Sequence, residues 1–191
     1  MMDTKNIMIV GVGGQGSLLA SKLFGYLLME QGFDVKVSEV HGMSQRGGSV
    51  VTYVRYGKRV YSPVIDEGEA DFIVSFELLE AARWLGHLRC GGQVITSTQQ
   101  TDPMPVITGA AVYPEDLVSK IEKTGAKIHA IDALALAELA GSSKASNIAL
   151  MGLLSRYLDI PDEAWQRALA ACVPPKFLEL NKKAFELGKN A

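Results

Sequence analysis

The residues best placed to do chemistry lie in two glycine-rich segments. Gly11-Val12-Gly13-Gly14-Gln15-Gly16 follows the apolar run Ile7-Met8-Ile9-Val10 directly, and a helical pattern comes after it. That order matches the first strand, loop and helix of a dinucleotide-binding-type fold. Glycines there allow a tight turn, close approach of a bound group and close packing of helix on strand. The N–H groups at the helix start favour an anion, so Gly11, Gly13, Gly14, Gln15 and Gly16 are candidate ligand-binding residues for a phosphate or carboxylate. The same residues equally suit a tight connection facing a partner subunit.

The second segment runs from Glu39 to Ser49 and contains His41-Gly42-Met43-Ser44-Gln45-Arg46-Gly47-Gly48. Arg46 is a bidentate donor suited to carboxylate or phosphate. His41 titrates near neutral pH, and Ser44 and Gln45 add neutral hydrogen-bonding groups. Gly47 and Gly48 permit close backbone approach. This loop follows the second strand, so it belongs beside the glycine loop at the carboxyl edge of the sheet, where open α/β folds bind ligands. Glu39 ends that strand somewhat beyond the ~20-residue spacing of a ribose-binding acid. It is also read as a strand-end carboxylate or as a partner for Arg46. A nicotinamide dinucleotide site is therefore open but not favoured.

No other segment assembles a reaction centre. His87 is expected near a helix end at the surface, and His129 packed or paired within a strand. Neither has the nucleophile and acid of a hydrolytic triad, so no catalytic residue is assigned to this chain. Asn147 opens an apolar stretch, Ile148 to Leu154, that must be buried by this domain or by another chain. Asn147 itself is read as a helix-start residue or as a polar group aimed at the site. Trp84 and Trp165 are expected in a core or an interface.

The elements that position these residues read as alternating strands and helices. Helix is expected over Ser17–Gln31, closed by Gly32, and strand over Asp34–Val40. Ser49–Tyr56, the turn Gly57-Lys58 and Arg59–Val64 read as an inserted β-hairpin. Strand Phe72–Phe76, helix Leu78–Leu88 and strand Gln93–Thr96 follow, then a loop over Thr98–Gly109 and a short edge strand at Ala111–Tyr113. Helix Glu115–Lys123, strand Lys127–Ile131 and helix Ala133–Ala140, with Asp132 as N-cap, come next. The remainder is helical: Ala145–Leu158, Asp162–Cys172 and Lys176–Leu187. The expectation is one domain over residues 1–191: a three-layer α/β, Rossmann-like fold with a largely parallel sheet, the inserted hairpin and a helical C-terminal end.

Composition narrows the function. The 191 residues carry 19 Lys and Arg against 21 Asp and Glu, so no basic field points to nucleic acid or an anionic membrane. No apolar run approaches the ~20 residues of a membrane span, and no signal-peptide pattern opens the chain, which reads as cytoplasmic. Two cysteines, Cys90 and Cys172, cannot hold a four-cysteine cluster, and three histidines without ligand spacing predict no metal site.

At this point the motifs match a known family. The two loops, with Tyr61-Ser62-Pro63, Glu69-Ala70-Asp71 and the ending Val173-Pro174-Pro175-Lys176-Phe177-Leu178-Glu179-Leu180-Asn181, resemble the gamma-type subunit or domain of 2-oxoacid:ferredoxin oxidoreductases. Within it, the pattern is most similar to the beta subunits of the indolepyruvate branch. The resemblance spans essentially the whole chain. It implies oxidative decarboxylation of a 2-oxo acid on thiamine diphosphate, electron transfer through iron–sulfur clusters to ferredoxin, and acyl transfer to coenzyme A; for this branch the substrates are aryl pyruvates. This chain has neither the cysteines for [4Fe–4S] clusters nor a Gly-Asp-Gly thiamine diphosphate and magnesium signature. By that resemblance both belong to a larger partner subunit, ferredoxin is met through the complex, and this chain alone is inactive and prone to self-association. The two loops are then expected to face the partner's active site, enclosing substrate or binding coenzyme A phosphates with Arg46 as anchor. The competing readings are a stand-alone NAD(P)-binding oxidoreductase and a nucleotide-sensing scaffold.

Overall fold

Alternation along the first strand sets the layers. Ile7 and Ile9 enter one apolar cluster while Met8 and Val10 enter another, and all four are buried. A strand buried on both faces must carry a continuous apolar run and be covered by helices on each side. The computed structural model, which describes residues 4–41 and 48–191, has that arrangement. The described residues form a sheet of six strands: β1 (Lys5–Val12), β2 (Asp34–His41), β3 (Ser49–Gly57), β4 (Ala70–Ser75), β5 (Leu88–Ser97) and β6 (Lys127–Ile131). Their order is β2-β3-β1-β4-β5-β6. β1, β4, β5 and β6 run parallel, and β3 is antiparallel to both of its neighbours.

The hairpin expected over Ser49–Val64 does not form, and β3 takes a different partner. β3 pairs with β2, from Asp34 opposite Gly57 to His41 opposite Val50, and Arg59–Val64 forms no strand. Each strand has two edges, and β1 and β2 occupy both edges of β3. The chain after β3 is instead pinned irregularly: Arg55 Nη1 donates to the Val64 and Ser62 carbonyls at 2.6 and 3.3 Å, and Asp34 accepts from the Val60 N–H at 2.8 Å.

Other differences are local. Leu78–Leu88 divides into α2 (Leu78–Arg83), a 3-10 turn and the start of β5, after α1 (Ser17–Glu30). The loop after β5 contains a short helix, α3 (Met104–Ile107), and Ala111–Tyr113 is not a strand. Tyr113 lies there because its hydroxyl bonds Glu77 at 2.5 Å rather than because its backbone pairs. Then come α4 (Leu117–Lys123), α5 (Ala133–Ala140), α6 (Ser146–Ser155), α7 (Asp162–Cys172) and α8 (Leu178–Lys189). Asp132 caps α5 by accepting from the Ala135 N–H at 2.9 Å.

α1 and the C-terminal helices cover one face of the sheet, and α2 and α4 the other. α6 is buried from Asn147 to Ser155, inside this chain, between the sheet and α8. The crossing requires glycine. A Cβ on Gly152 would stand 2.0 Å from the Phe185 carbonyl oxygen, and one on Gly188 would stand 1.8 Å from that of Ala149. Trp165 of α7 is fully buried between Phe24 and Phe185, at ring separations of 5.8 and 5.3 Å.

Candidate functional site

The turn after β1 is built by its own side chain. Gln15 Oε1 accepts from the Val12 N–H at 2.7 Å, and Gln15 Nε2 donates to the Phe76 carbonyl at 3.4 Å. Gln15 therefore ties the glycine loop to the exit of β4. Gly11 lies buried in β1, where a Cβ would be 2.7 Å from Gln15 Oε1; its role is to admit that side chain. The Gly13 N–H bonds the Gly48 carbonyl at 2.9 Å and the Gln15 N–H bonds Val12 at 3.2 Å. Among the described residues, the N–H groups left without a partner at this turn are those of Gly14, Gly16, Ser17 and Leu18. They form the start of α1, where the helix dipole favours an anion.

The bond from Gly13 to Gly48 brings the second segment to the same edge as the first. Ser44, Gln45, Arg46 and Gly47, and the His41 side chain, lie outside the described residues. Beyond them, Ser49 Oγ donates to the buried Glu80 carboxylate at 2.5 Å, which also receives Arg83 at 2.6 Å and the Trp84 indole at 3.3 Å. Glu39 accepts from Ser17 Oγ at 2.9 Å, at the first residue of α1.

Beside Gly14, Gln15 and Gly16 lies a cleft of about 510 Å³ whose other walls are Gln99, Leu134, Ser143, Lys144 and Ser146. None of these five belongs to a motif recognisable in the sequence. They come from the ends of β5, the first turn of α5 and the start of α6, more than 80 positions from the glycine loop, and the strand order alone brings them there. The starts of α1, α5 and α6 thus converge on one cleft whose single charged wall residue, among the described residues, is Lys144. Neutral N–H donors, hydroxyls and one ammonium suit a phosphate or carboxylate and supply no general acid–base pair.

Asn147 stands at the helix start as expected and reaches the glycine loop, without lining the cleft. It is the second residue of α6, it is buried, and its Nδ2 donates to the Gly16 carbonyl at 3.2 Å. His129 is paired as expected, to Gln93 at 2.9 Å and Tyr157 at 3.0 Å. Burial, with Arg156 and Lys127 nearby, holds its pKa below the ordinary 6.5.

Iron–sulfur ligation does not fit this chain. Cys90 is exposed, Cys172 is buried against the Lys22 carbonyl, and the described residues hold no cluster of three or more His, Cys, Asp or Glu. No helix among them is long and apolar enough to cross a membrane.

Comparison with known proteins identifies the family. Residues 6–191 match the family model for pyruvate ferredoxin/flavodoxin oxidoreductase. The chain is 45% identical to indolepyruvate oxidoreductase subunit IorB of Thermococcus kodakarensis, covering all of this chain and 96% of that one. In fold it is similar to pyruvate oxidoreductase subunit PORC of Thermotoga maritima, with a TM-score of 0.75, 20% identity, and coverage of 98% and 96% of the two chains. It is also similar to a 2-oxoglutarate:ferredoxin oxidoreductase chain of Magnetococcus marinus, with a TM-score of 0.74 and 18% identity. There the match covers 98% of this chain but 30% of that one. With a full-length relative, a matching family model and one shared fold, the chain belongs to the pyruvate ferredoxin/flavodoxin oxidoreductase family, as a subunit of a larger 2-oxoacid oxidoreductase.

Proposed function

We propose that this chain, as one gamma-type domain, is the cofactor-free subunit of an indolepyruvate:ferredoxin oxidoreductase. The observation that carries the reading is the 45% identity, end to end, with an indolepyruvate oxidoreductase subunit. Thiamine diphosphate, magnesium and [4Fe–4S] clusters then reside on the larger subunit, because two separated cysteines cannot ligate a cluster here. The larger subunit passes electrons to ferredoxin, and the acyl group leaves on coenzyme A.

This chain's contribution is the cleft. Its amide donors at Gly14 and Gly16, together with Lys144, suit an anionic phosphate of coenzyme A or the carboxylate of the 2-oxo acid. Arg46 and the neighbouring His41, Ser44, Gln45, Gly47 and Gly48 would close the site from the second loop. The residues of this chain bind and orient the anion and exclude water; they donate no proton to a reacting atom. A nicotinamide reading draws less support, since Glu39 is engaged by Ser17 and does not line the cleft.

The test is reconstitution. This chain and its larger partner together should catalyse indolepyruvate-dependent ferredoxin reduction, and either alone should not. In that assay, Lys144→Ala and Arg46→Ala should each raise KM for coenzyme A or for indolepyruvate about tenfold, as expected for loss of a charged anion contact. Unchanged constants for both substrates in both variants would remove the anion-binding role.

A further inference from the structure

A pocket of different chemistry lies at the other edge of the sheet, where the parallel strands begin. Its polar groups include Lys5 at the first position of β1, Tyr56 near the end of β3, and Asp71 and Arg89 at the second positions of β4 and β5. Phe33 and Phe72 form part of its apolar wall, and the segment after α6 adds Tyr157, Leu158 and Ile160. The volume is about 310 Å³. That falls among small-molecule sites, which are mostly apolar with a few fixed polar groups. The eight residues of β1 span about 25 Å and hold this pocket apart from the cleft at Gly14.

Tyr56 carries the argument. It is 5% exposed, and its ring packs on that of Phe33 with centroids 5.3 Å apart. Among the described residues its hydroxyl has no hydrogen-bond partner. Thr52 Oγ1 and Trp165 Nε1 are unpartnered too, but they are sealed in the core, whereas the Tyr56 hydroxyl opens on the pocket. Burial, and then the charge of Asp71, push its pKa up to about 12, so it stays a neutral donor. A buried donor without an acceptor is costly, and an occupant that offers a lone pair removes the cost.

The charges fix the polarity of that occupant. Asp71 is buried and already engaged: it accepts from the Asn6 N–H at 2.9 Å and pairs with Arg89 at 2.7 Å and Lys5 at 3.5 Å. Arg89 spends its Nε on that pair and keeps both Nη groups. Gln93 Oε1 and the Tyr157 hydroxyl are engaged by His129, at 2.9 and 3.0 Å. The other carboxylate, Asp159, is exposed at the mouth, where water screens it. The groups left to an occupant are thus donors, a phenol and two cations, beside an aromatic wall. A carboxylate takes such donors, and a flat ring packs on such a wall. We propose that this pocket binds a small aromatic monocarboxylic acid, its carboxylate received by Tyr56, Arg89 and Lys5 and its ring by Phe33, Phe72 and Tyr157. The site goes beyond the subunit reading and does not depend on it.

The test is calorimetric titration of the full chain, alone and joined to its larger subunit, with benzoate, benzamide and acetate as probes. Benzoate should bind saturably to both forms, and benzamide and acetate at least about tenfold more weakly. Tyr56→Phe and Arg89→Gln should each weaken benzoate at least about tenfold. Tyr56→Phe removes only an unpartnered hydroxyl, so without benzoate it should melt at or above the wild-type temperature. Absence of benzoate binding would overturn the site, as would binding that Tyr56→Phe leaves unchanged. Acetate or benzamide binding as tightly as benzoate would overturn the aromatic acid as its ligand. Benzoate binding lost on joining the larger subunit would show the pocket filled by that subunit and overturn the proposal too.

Discussion

Asn147 and Gly16, 131 positions apart, are joined by a 3.2 Å hydrogen bond from the Asn147 amide to the Gly16 carbonyl. A Cβ on Gly16 would lie 2.3 Å from that amide nitrogen, and Gly16 holds φ of +91°. The C-terminal helical layer thus fixes the start of α1 and one wall of the cleft. Replacing Asn147 with Ala leaves the Gly16 turn unsupported and a cavity beside it. The expected loss is about 1–3 kcal/mol, read as a lower urea midpoint, with anion affinity of the cleft weakened in the same variant.

Glu77 gathers three donors. Its carboxylate accepts from the Glu80 N–H at 2.9 Å, the Thr101 N–H at 3.1 Å and the Tyr113 hydroxyl at 2.5 Å. Glu77→Gln turns one acceptor oxygen into a donor that faces another donor. Stability should fall by about 2 kcal/mol, roughly 4–8 °C in melting temperature for a chain of this size. A variant melting with wild type would show that the carboxylate is replaceable by any acceptor.

Thr52 offers a change of opposite sign. Its hydroxyl is fully buried in β3 and has no hydrogen-bond partner among the described residues. Thr52→Val keeps the shape and removes the orphan group, so the chain should gain about 1 kcal/mol. A destabilised valine variant would mean that the hydroxyl has a partner such as a buried water.

His129 makes stability depend on pH. The neutral imidazole, protonated on Nε2, donates to Gln93 and accepts from Tyr157. Its folded pKa lies below the ordinary 6.5, with burial as the first cause. The unfolded chain therefore binds the proton first on acidification. This contribution is complete above about pH 6.5 and declines as pH falls through that value toward the depressed folded one. Denaturation at about pH 7.5 and 5.5 should show a smaller stability gap between wild type and His129→Gln at the lower pH. A gap independent of pH would exclude this linkage.

What was legible in the sequence was local. The bounds of α7, the cap at Asp132 and the strand Lys127–Ile131 follow from period, capping residue and β-branched composition within a few positions. The partner of β3 did not follow, because whether a strand's edge is free depends on β1 and β2 rather than on Arg59–Val64. The cleft divided the same way. Its glycines announce themselves in six residues, whereas Lys144, Ser143 and Ser146 look like an ordinary polar turn until the strand order carries them across. The contacts that Gly11 and Gln15 make within the loop itself were hidden for a related reason: residue types alone do not show which side chain folds back on its own turn.

The α6–α8 crossing also bears on how the chain is made. α6 emerges from the ribosome well before α8, and α8 is the element its glycine crossing requires. Until translation delivers Leu178–Lys189, the apolar residues Ile148 to Leu154 lack one of their two covers. The burial of α6 therefore depends on an element that follows it in the chain, and a nascent chain paused between the two exposes a helix that the finished protein conceals.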